Sequence, residues 1–166
     1  MSQAAPVFVA RALHPTGKDI VGLINQKMIT MSTNPENIKE NEVQIRQLIE
    51  GWAAAVRRGD LKTILAHHAD NIVMYDVPKP FQSVGIEAYR KTWDTFFKYT
   101  RPGVFDIQEL HIVAGNNVAF CFATMKCADK SNSIEYVELD FRLTVGLKKI
   151  NDQWMIIHEH HSIPSE

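Results

Sequence analysis

Apolar residues recur every three or four positions in two stretches of the chain, which is the spacing of an α-helix with one buried face. The first stretch follows Asn34, a residue type that caps helices, and ends at Gly59. The second begins at Gly85 and ends before Pro102, because the residue before a proline disfavours helical backbone. With a short helix predicted over residues 61–67, the pattern predicts three helices.

Five further runs are rich in β-branched and aromatic residues and are bounded by glycine, asparagine, aspartate and proline, which is typical of strands joined by turns. One of them is unusually long and should bend, with Gly146 a natural place for the bend. We predict an α+β fold in which three N-terminal helices pack on a curved, mainly antiparallel sheet that encloses a pocket. The predicted strands span residues 72–77, 104–114, 118–128, 134–150 and 154–163.

The first 33 residues carry no sustained periodicity and contain Pro6, Pro15 and Gly17. They are predicted to form an arm outside a domain that spans residues 34–166. Two interpretations of this arm stay open: a poorly ordered terminus, or a segment that covers a partner subunit. Met28 and Met31 also leave open a start site within the chain.

Composition narrows the class of protein. Eighteen basic and nineteen acidic side chains leave a net charge of −1, which argues against a nucleic-acid partner. No apolar run approaches the ~20 residues that span a membrane. Cys121 and Cys127 lie in one predicted strand at about 20 Å from each other, too far to bridge. Two such thiols fit a reducing compartment, so we expect a cytoplasmic protein.

Strand alternation indicates one candidate for acid–base chemistry in the first predicted strand. Ile72, Met74 and Asp76 share a face there, which places a carboxylate at the end of an apolar row. Desolvation at such a position raises the pKa of a carboxyl group and suits it to proton transfer. The alternative is that Asp76 caps the turn before Pro78 or pairs with a nearby base.

The last predicted strand supplies the histidine candidates. Uninterrupted alternation groups Trp154, Ile156, His158, His160 and Ser162 on one face. We predict that His160 is an acid or base in the pocket, because imidazole titrates near neutral pH; the alternative is that it satisfies a buried backbone carbonyl group. His158 is expected to satisfy the backbone or to contact the ligand. Both histidines with Asp76 could ligate zinc, but that spacing is a weak signal, and no metal or other cofactor is predicted.

Other residues are predicted to hold the ligand. The aromatic stripes of the helices suit an apolar molecule, and Met74 faces the same space. Arg142 could hold an anionic or carbonyl group, or form an ion pair at a dimer interface. The predicted ligand-binding residues are Trp52, Met74, Trp93, Phe97, Arg142 and His158.

Three segments carry a resemblance to a known family. Arg142 and Thr144, followed by the run from Trp154 through His158 and His160 to Ser162, are similar to the Arg-x-Thr and Trp-x-Ile-x-His-x-His-x-Ser signature of SnoaL-like and ketosteroid isomerase homologue domains. The helix break at residues 58–61 and the helix start at residues 85–88 accompany this signature. The resemblance spans residues 40–164, and the association domain of calmodulin-dependent kinase has a similar ending.

This resemblance implies the cone-shaped nuclear transport factor 2-like fold, also called cystatin-like, with a pocket for a small, largely apolar molecule. It places Asp76 where ketosteroid isomerase has its general-base carboxylate, and Trp52 where that enzyme has a tyrosine. It also implies a homodimer that forms sheet against sheet.

Three functions stay open. The first is a cofactor-independent isomerase, cyclase or lyase that acts on an apolar or aromatic carbonyl compound, with Asp76 and His160 facing one cavity. The second is a binding module that encloses the same kind of molecule without turnover. The third is an assembly domain, for which a filled or collapsed cavity is expected.

Overall fold

A computed structural model describes residues 35–129 and 137–164 of the chain. Within these residues, three helices precede or alternate with the early strands: α1 (Pro35–Arg58), α2 (Leu61–Leu65) and α3 (Ile86–Tyr99). The strands are β1 (His68–Tyr75), β2 (Ser83–Val84), β3 (Thr100–Ala114), β4 (Val118–Asp129), β5 (Val137–Ile150) and β6 (Gln153–Ser162). The predicted arm and residues 134–136 of the long predicted strand lie outside the described residues.

The six strands of the described part of the chain form one sheet in the order β2-β1-β6-β5-β4-β3. The pairs from β6 to β3 are antiparallel, whereas β1 runs parallel to β6 and so joins the first part of the chain to the last. α1 packs on β3, and α3 packs on β1. This arrangement confirms the predicted α+β class with a mainly antiparallel sheet.

Local sequence explains where the helices begin and end. The Asp60 carboxylate accepts hydrogen bonds from the backbone N–H of Thr63 at 3.1 Å and from its hydroxyl at 2.6 Å, which caps α2. These hydrogen bonds lower the pKa of the Asp60 carboxyl group. Gly59 has a φ of 66°, a left-handed conformation that ends α1 with little strain.

Several element boundaries differ from the prediction, and one short strand was not predicted. α2 ends at Leu65 instead of residue 67, and β1 begins at His68 instead of residue 72. β2 was missed because two residues are too few for a visible alternation, and its pairing with β1 is set by tertiary contact.

The core lies between the helices and the inner face of the sheet. α1 contributes a buried stripe that includes Ile45, Ile49 and Trp52. The Trp52 ring packs edge to face against Trp93 of α3 at 6.0 Å and against Phe105 of β3 at 5.2 Å between centroids. No helix within the described residues is long and apolar enough to cross a membrane.

Replacing Ile49 with alanine tests this packing. The Ile49 side chain is 0% exposed, so the variant should lose about 2 to 5 kcal/mol of unfolding free energy through lost burial and a residual cavity. Val43 lies on the same helix but is 55% exposed, and Val43→Ala should stay within about 0.5 kcal/mol of wild type. Urea titration of both variants measures the difference, and equal midpoints would contradict the assigned packing.

Candidate functional site

A cavity of about 570 Å³ lies between α3, the loop after β1 and the ends of β3 to β6. Its wall is largely apolar, and its volume suits a small organic molecule. Its polar lining comes from Asp76, His161, Lys79, Lys91 and a few hydroxyl and amide side chains. The apolar lining includes Met74, Trp93, Phe96, Phe105, Cys127, Leu139 and Phe141.

An aspartate and a histidine meet in the wall of this cavity. The Nδ1 atom of His161 lies 3.4 Å from Oδ1 of Asp76. The same carboxylate oxygen accepts a hydrogen bond from the backbone N–H of Val77 at 2.8 Å, which helps to fix its position. The Asp76 side chain is 22% exposed and that of His161 is 11% exposed, so both reach the cavity while water has restricted access to them.

A buried carboxylate lies behind this histidine. Oε2 of Glu159 is 3.7 Å from Nε2 of His161, and the Glu159 side chain is 1% exposed. Its other oxygen accepts a hydrogen bond from the Tyr89 hydroxyl at 3.0 Å and lies 2.6 Å from Nε2 of His68. Five polar side chains thus form one continuous cluster from the cavity wall into the core: Asp76, His161, Glu159, His68 and Tyr89.

A β-bulge in β6 decides which side chains face the cavity. Gly146 pairs with His158, but the next residue of β5, Leu147, pairs with Ile156, so Ile157 is an extra residue in β6. The inner face therefore changes from even to odd positions, and Trp154 and Ile156 are followed on it by Glu159 and His161. The uninterrupted alternation predicted for this strand is wrong beyond Ile156.

The two predicted histidines consequently lie away from the main cavity. Nδ1 of His158 is 2.8 Å from the backbone carbonyl oxygen of Val73, and its ring packs edge to face on Tyr75 at 4.9 Å. His160 is exposed and lines a shallow outer groove with Tyr75 and Phe81. Asp76 borders both the groove and the cavity, whereas His160 borders only the groove, so the structure brings these two residues together at the groove and not in the main cavity.

The other predicted ligand-binding residues divide into two sets. Met74 and Trp93 line the cavity, as alternation and helical spacing indicate. Trp52 lies behind Trp93 and borders a separate cavity of about 100 Å³, and Phe97 packs on Trp93 at 5.8 Å without lining the main cavity. Arg142 is exposed between Thr124 and Ser162 in the sheet, so it does not reach the cavity.

Sequence reasoning missed His68, Tyr89, Glu159 and His161 as site residues. In the uninterrupted alternation, Glu159 and His161 lie on the face opposite to His158 and His160, the predicted outer face. A β-bulge has no sequence motif, so the sequence does not show that the inner face changes at Ile157. His68 lies before the predicted strand, and the pairing of β1 with β6 is irregular between His68 and Val73, so alternation counted back from Met74 does not locate it. Within residues 35–129 and 137–164, no group of three or more His, Cys, Asp or Glu side chains could hold a metal ion.

Burial controls the ionisation of two groups near the site. It raises the pKa of the Tyr89 hydroxyl well above the usual value, and the negative charge of Glu159 and the hydrogen bond to it raise that pKa further. Burial also raises the pKa of the Cys121 thiol to about 12. Tyr89 therefore stays protonated and acts as a hydrogen-bond donor to Glu159.

Replacing Tyr89 with phenylalanine should lower the unfolding free energy by about 1.5 to 3 kcal/mol at pH 8, because a buried carboxylate loses a donor. The pKa of Tyr89 is raised in the folded protein, so its stabilisation is complete below the unfolded value near 10 and declines above it. The wild-type advantage over Tyr89→Phe should therefore shrink by roughly 1.4 kcal/mol per pH unit above about pH 10. Urea titrations of both proteins from pH 8 to 11 measure this difference in unfolding free energy. The contribution of the Cys121 thiol cancels, because both proteins contain it. A difference that stays constant with pH would contradict the assigned Tyr89 hydrogen bond.

Comparisons with other proteins agree on the family. The sequence profile of the SnoaL-like domain family matches residues 45–166. An NTF2-like protein of unknown function from Pseudomonas putida KT2440 is 32% identical, covers 81% of this chain and 92% of that chain, and has a TM-score of 0.68. No curated protein matches the chain significantly.

Two more distant structures share the fold. A ketosteroid isomerase-like protein from Erwinia carotovora atroseptica SCRI1043 is 15% identical over 75% of this chain and 96% of that chain, with a TM-score of 0.63. A protein from Novosphingobium aromaticivorans DSM 12444, provisionally described as a scytalone dehydratase, is 12% identical over 80% and 89%, with a TM-score of 0.70. With the profile match and the 32% identity above, the chain belongs to the SnoaL-like domain family of NTF2-like proteins.

Proposed function

We propose that the cavity binds a small, largely apolar carbonyl compound and that Asp76 and His161 carry out acid–base chemistry on it. The reaction would be of the isomerase, cyclase or lyase type and would need no cofactor. The observation that carries this proposal is the contact of Nδ1 of His161 with Asp76 at 3.4 Å in the wall of an apolar cavity. A titratable pair in a largely apolar pocket is the arrangement expected for proton transfer.

Each member of the pair has a defined task in this mechanism. Asp76 accepts the proton from the carbon next to the carbonyl group, and the proton returns to another atom of the same molecule or to the leaving group. His161 faces the carboxylate and exchanges the proton with it. The 3.4 Å contact is longer than a strong hydrogen bond, which is common in sites without substrate.

Glu159 supports this chemistry as a positioning residue. Its carboxylate lies 3.7 Å from Nε2 of His161, so positive charge that develops on the imidazole is stabilised from behind. Tyr89 and His68 hold the other carboxylate oxygen, which keeps Glu159 in place. The names of the ketosteroid isomerase-like and provisionally described scytalone dehydratase neighbours support an isomerase or lyase class, while those neighbours share only the fold.

A second candidate is a binding module without turnover. The mainly apolar cavity wall favours it, because apolar burial supplies affinity without any chemical step. A cavity of about 570 Å³ argues against a domain that serves assembly alone, for which a filled pocket is expected.

The catalytic proposal is tested with Asp76→Asn and His161→Gln, and His160→Gln is the matched control in the same strand. A thermal-shift screen with steroid-like, polyketide-like and small aromatic carbonyl compounds identifies ligands, because binding to the folded state raises the melting temperature. Turnover of each ligand is then followed by chromatography. We expect Asp76→Asn and His161→Gln to lose about 100-fold or more in turnover, and His160→Gln to stay near wild type.

Two results would overturn this assignment. Equal binding by wild type and Asp76→Asn without any turnover would establish the binding module instead. Turnover that depends on His160 and not on His161 would show that the outer groove, and not the main cavity, is the reactive site.

We also propose that the outer face of the sheet pairs with a second copy of the chain. Phe120 and Phe122 of β4 are 46% and 43% exposed on this face, with their centroids 5.8 Å apart. Their partners across β3 are Val113, which is also exposed, and His111, which stacks on Phe122 at 4.8 Å. Apolar and aromatic side chains gathered on one open face are typical of an interface.

Replacing Phe120 with lysine tests this interface. A charge buried in the centre of the contact should weaken association at least tenfold and convert a dimer into a monomer. Val43→Lys, at an exposed position of α1, is the control and should leave the dimer intact. Light scattering during size-exclusion chromatography gives both masses, and a wild-type protein that is monomeric at micromolar concentration would contradict the proposal.

The cytoplasm is the compartment that we propose. Cys121 and Cys127 are buried in β4, six positions apart, and cannot bridge each other along an extended strand. Cysteines that are not joined in a disulfide are typical of proteins in a reducing compartment.

A further inference from the structure

Two lysines stand at the rim of the main cavity. Lys79 lies in the loop after β1, and Lys91 lies on α3; both are exposed and both line the cavity. Neither forms an ion pair or hydrogen bond with another of the residues that the structure describes. By contrast, Arg90, the residue before Lys91, forms ion pairs with Glu87 and Asp94, each at 3.5 Å.

The cavity lining does not balance this positive charge. Among the described residues that line the cavity, Asp76 supplies the single carboxylate, and it already faces His161 and accepts the Val77 N–H. The cavity therefore combines an apolar floor with a cationic rim. A ligand with one apolar part and one anionic part complements both regions.

We propose that the cavity takes an apolar carboxylic acid, with the apolar body on the floor and the carboxylate at the rim between Lys79 and Lys91. The floor consists of Met74, Trp93, Phe105, Leu139 and Phe141. Arg142, which could have been the anion-binding residue, lies outside the cavity and takes no part.

The chain also limits where the reactive group of this acid lies. Asp76 and Lys79 are three residues apart, so their backbones are at most about 11 Å apart. Both residues also line the outer groove, so the proton-accepting carboxylate and the lysine of this loop lie on the same side of the cavity. The carbonyl group that reacts is placed a few bonds from the ligand carboxylate, as in an apolar keto acid; this step rests on the proposed acid–base function, whereas the anion preference does not.

The test compares acids with uncharged molecules of the same shape. The probes are 2-naphthoate with 2-naphthamide, and decanoate with decanamide, measured by calorimetry with wild-type protein at low salt. We expect each acid to bind roughly fivefold more tightly than its amide, and this preference to shrink as salt is added. Lys79→Gln with Lys91→Gln should abolish the preference, so that each acid and its amide bind the double variant with equal affinity.

Lys62→Gln is the matched control, because Lys62 is an exposed lysine of α2 that does not line the cavity. It should keep the wild-type preference. An equal affinity for acid and amide, a preference that survives in the double variant, or the absence of binding by both pairs at millimolar concentration would each overturn the proposed ligand class.

Asp76→Asn separates this inference from the catalytic proposal. If the cavity binds acids, this variant keeps or increases the acid preference, because it removes a negative charge from the wall and leaves both lysines. A preserved preference without turnover in wild type would refute catalysis alone. Turnover of uncharged carbonyl compounds with no acid preference would refute the ligand class alone.

Discussion

The candidate site depends on one extra residue in the last strand. Ile157 has no partner on β5, and this bulge turns Glu159 and His161 to the inner face of the sheet. With regular pairing, the side-chain period of two would place His158 and His160 inside and leave Glu159 in solvent. A local change in backbone pairing thus selects which histidine meets Asp76.

The bulge also places a carboxylate in the core, where a charge is unfavourable unless it is well supported. Two of the three side chains that support Glu159 come from elements that are distant in the sequence. Tyr89 comes from α3, His68 from the start of β1 and His161 from β6 itself. The polar cluster therefore links one helix and two strands, and the rings of His68 and Tyr89 stack at 4.4 Å to complete the contact. The side chains that stabilise the buried Glu159 carboxylate therefore also fix the position of His161 in the site.

Local signals in the sequence were sufficient for most of the fold and for one wall of the site. Helix boundaries near Gly59 and Gly85, the Asp60 cap and the strand alternation that exposes Met74 and Asp76 to the cavity were all predictable, because each depends on neighbouring residues. The parallel pairing of β1 with β6 joins segments that lie 85 residues apart in the chain at Val73 and His158. The position of Ile157 depends on the register in which β6 pairs with β5, which no local residue pattern specifies. The outward position of Arg142 agrees with the sequence, since alternation groups the apolar residues of β5 on the opposite face.

The two histidines of the family signature contact strand β1 and do not line the main cavity. His158 contacts a backbone carbonyl of β1, and His160 packs against Tyr75 of the same strand, so both hold β6 beside β1 on the outer side. That pairing sets Met74 next to Glu159 and brings the end of β1, with Asp76, to the level of His161. His160, which the signature identifies, lies on the outer face of the sheet and does not line the main cavity. The transferable feature is the strand pairing, and the reactive groups have to be identified from the side chains that this pairing turns inward.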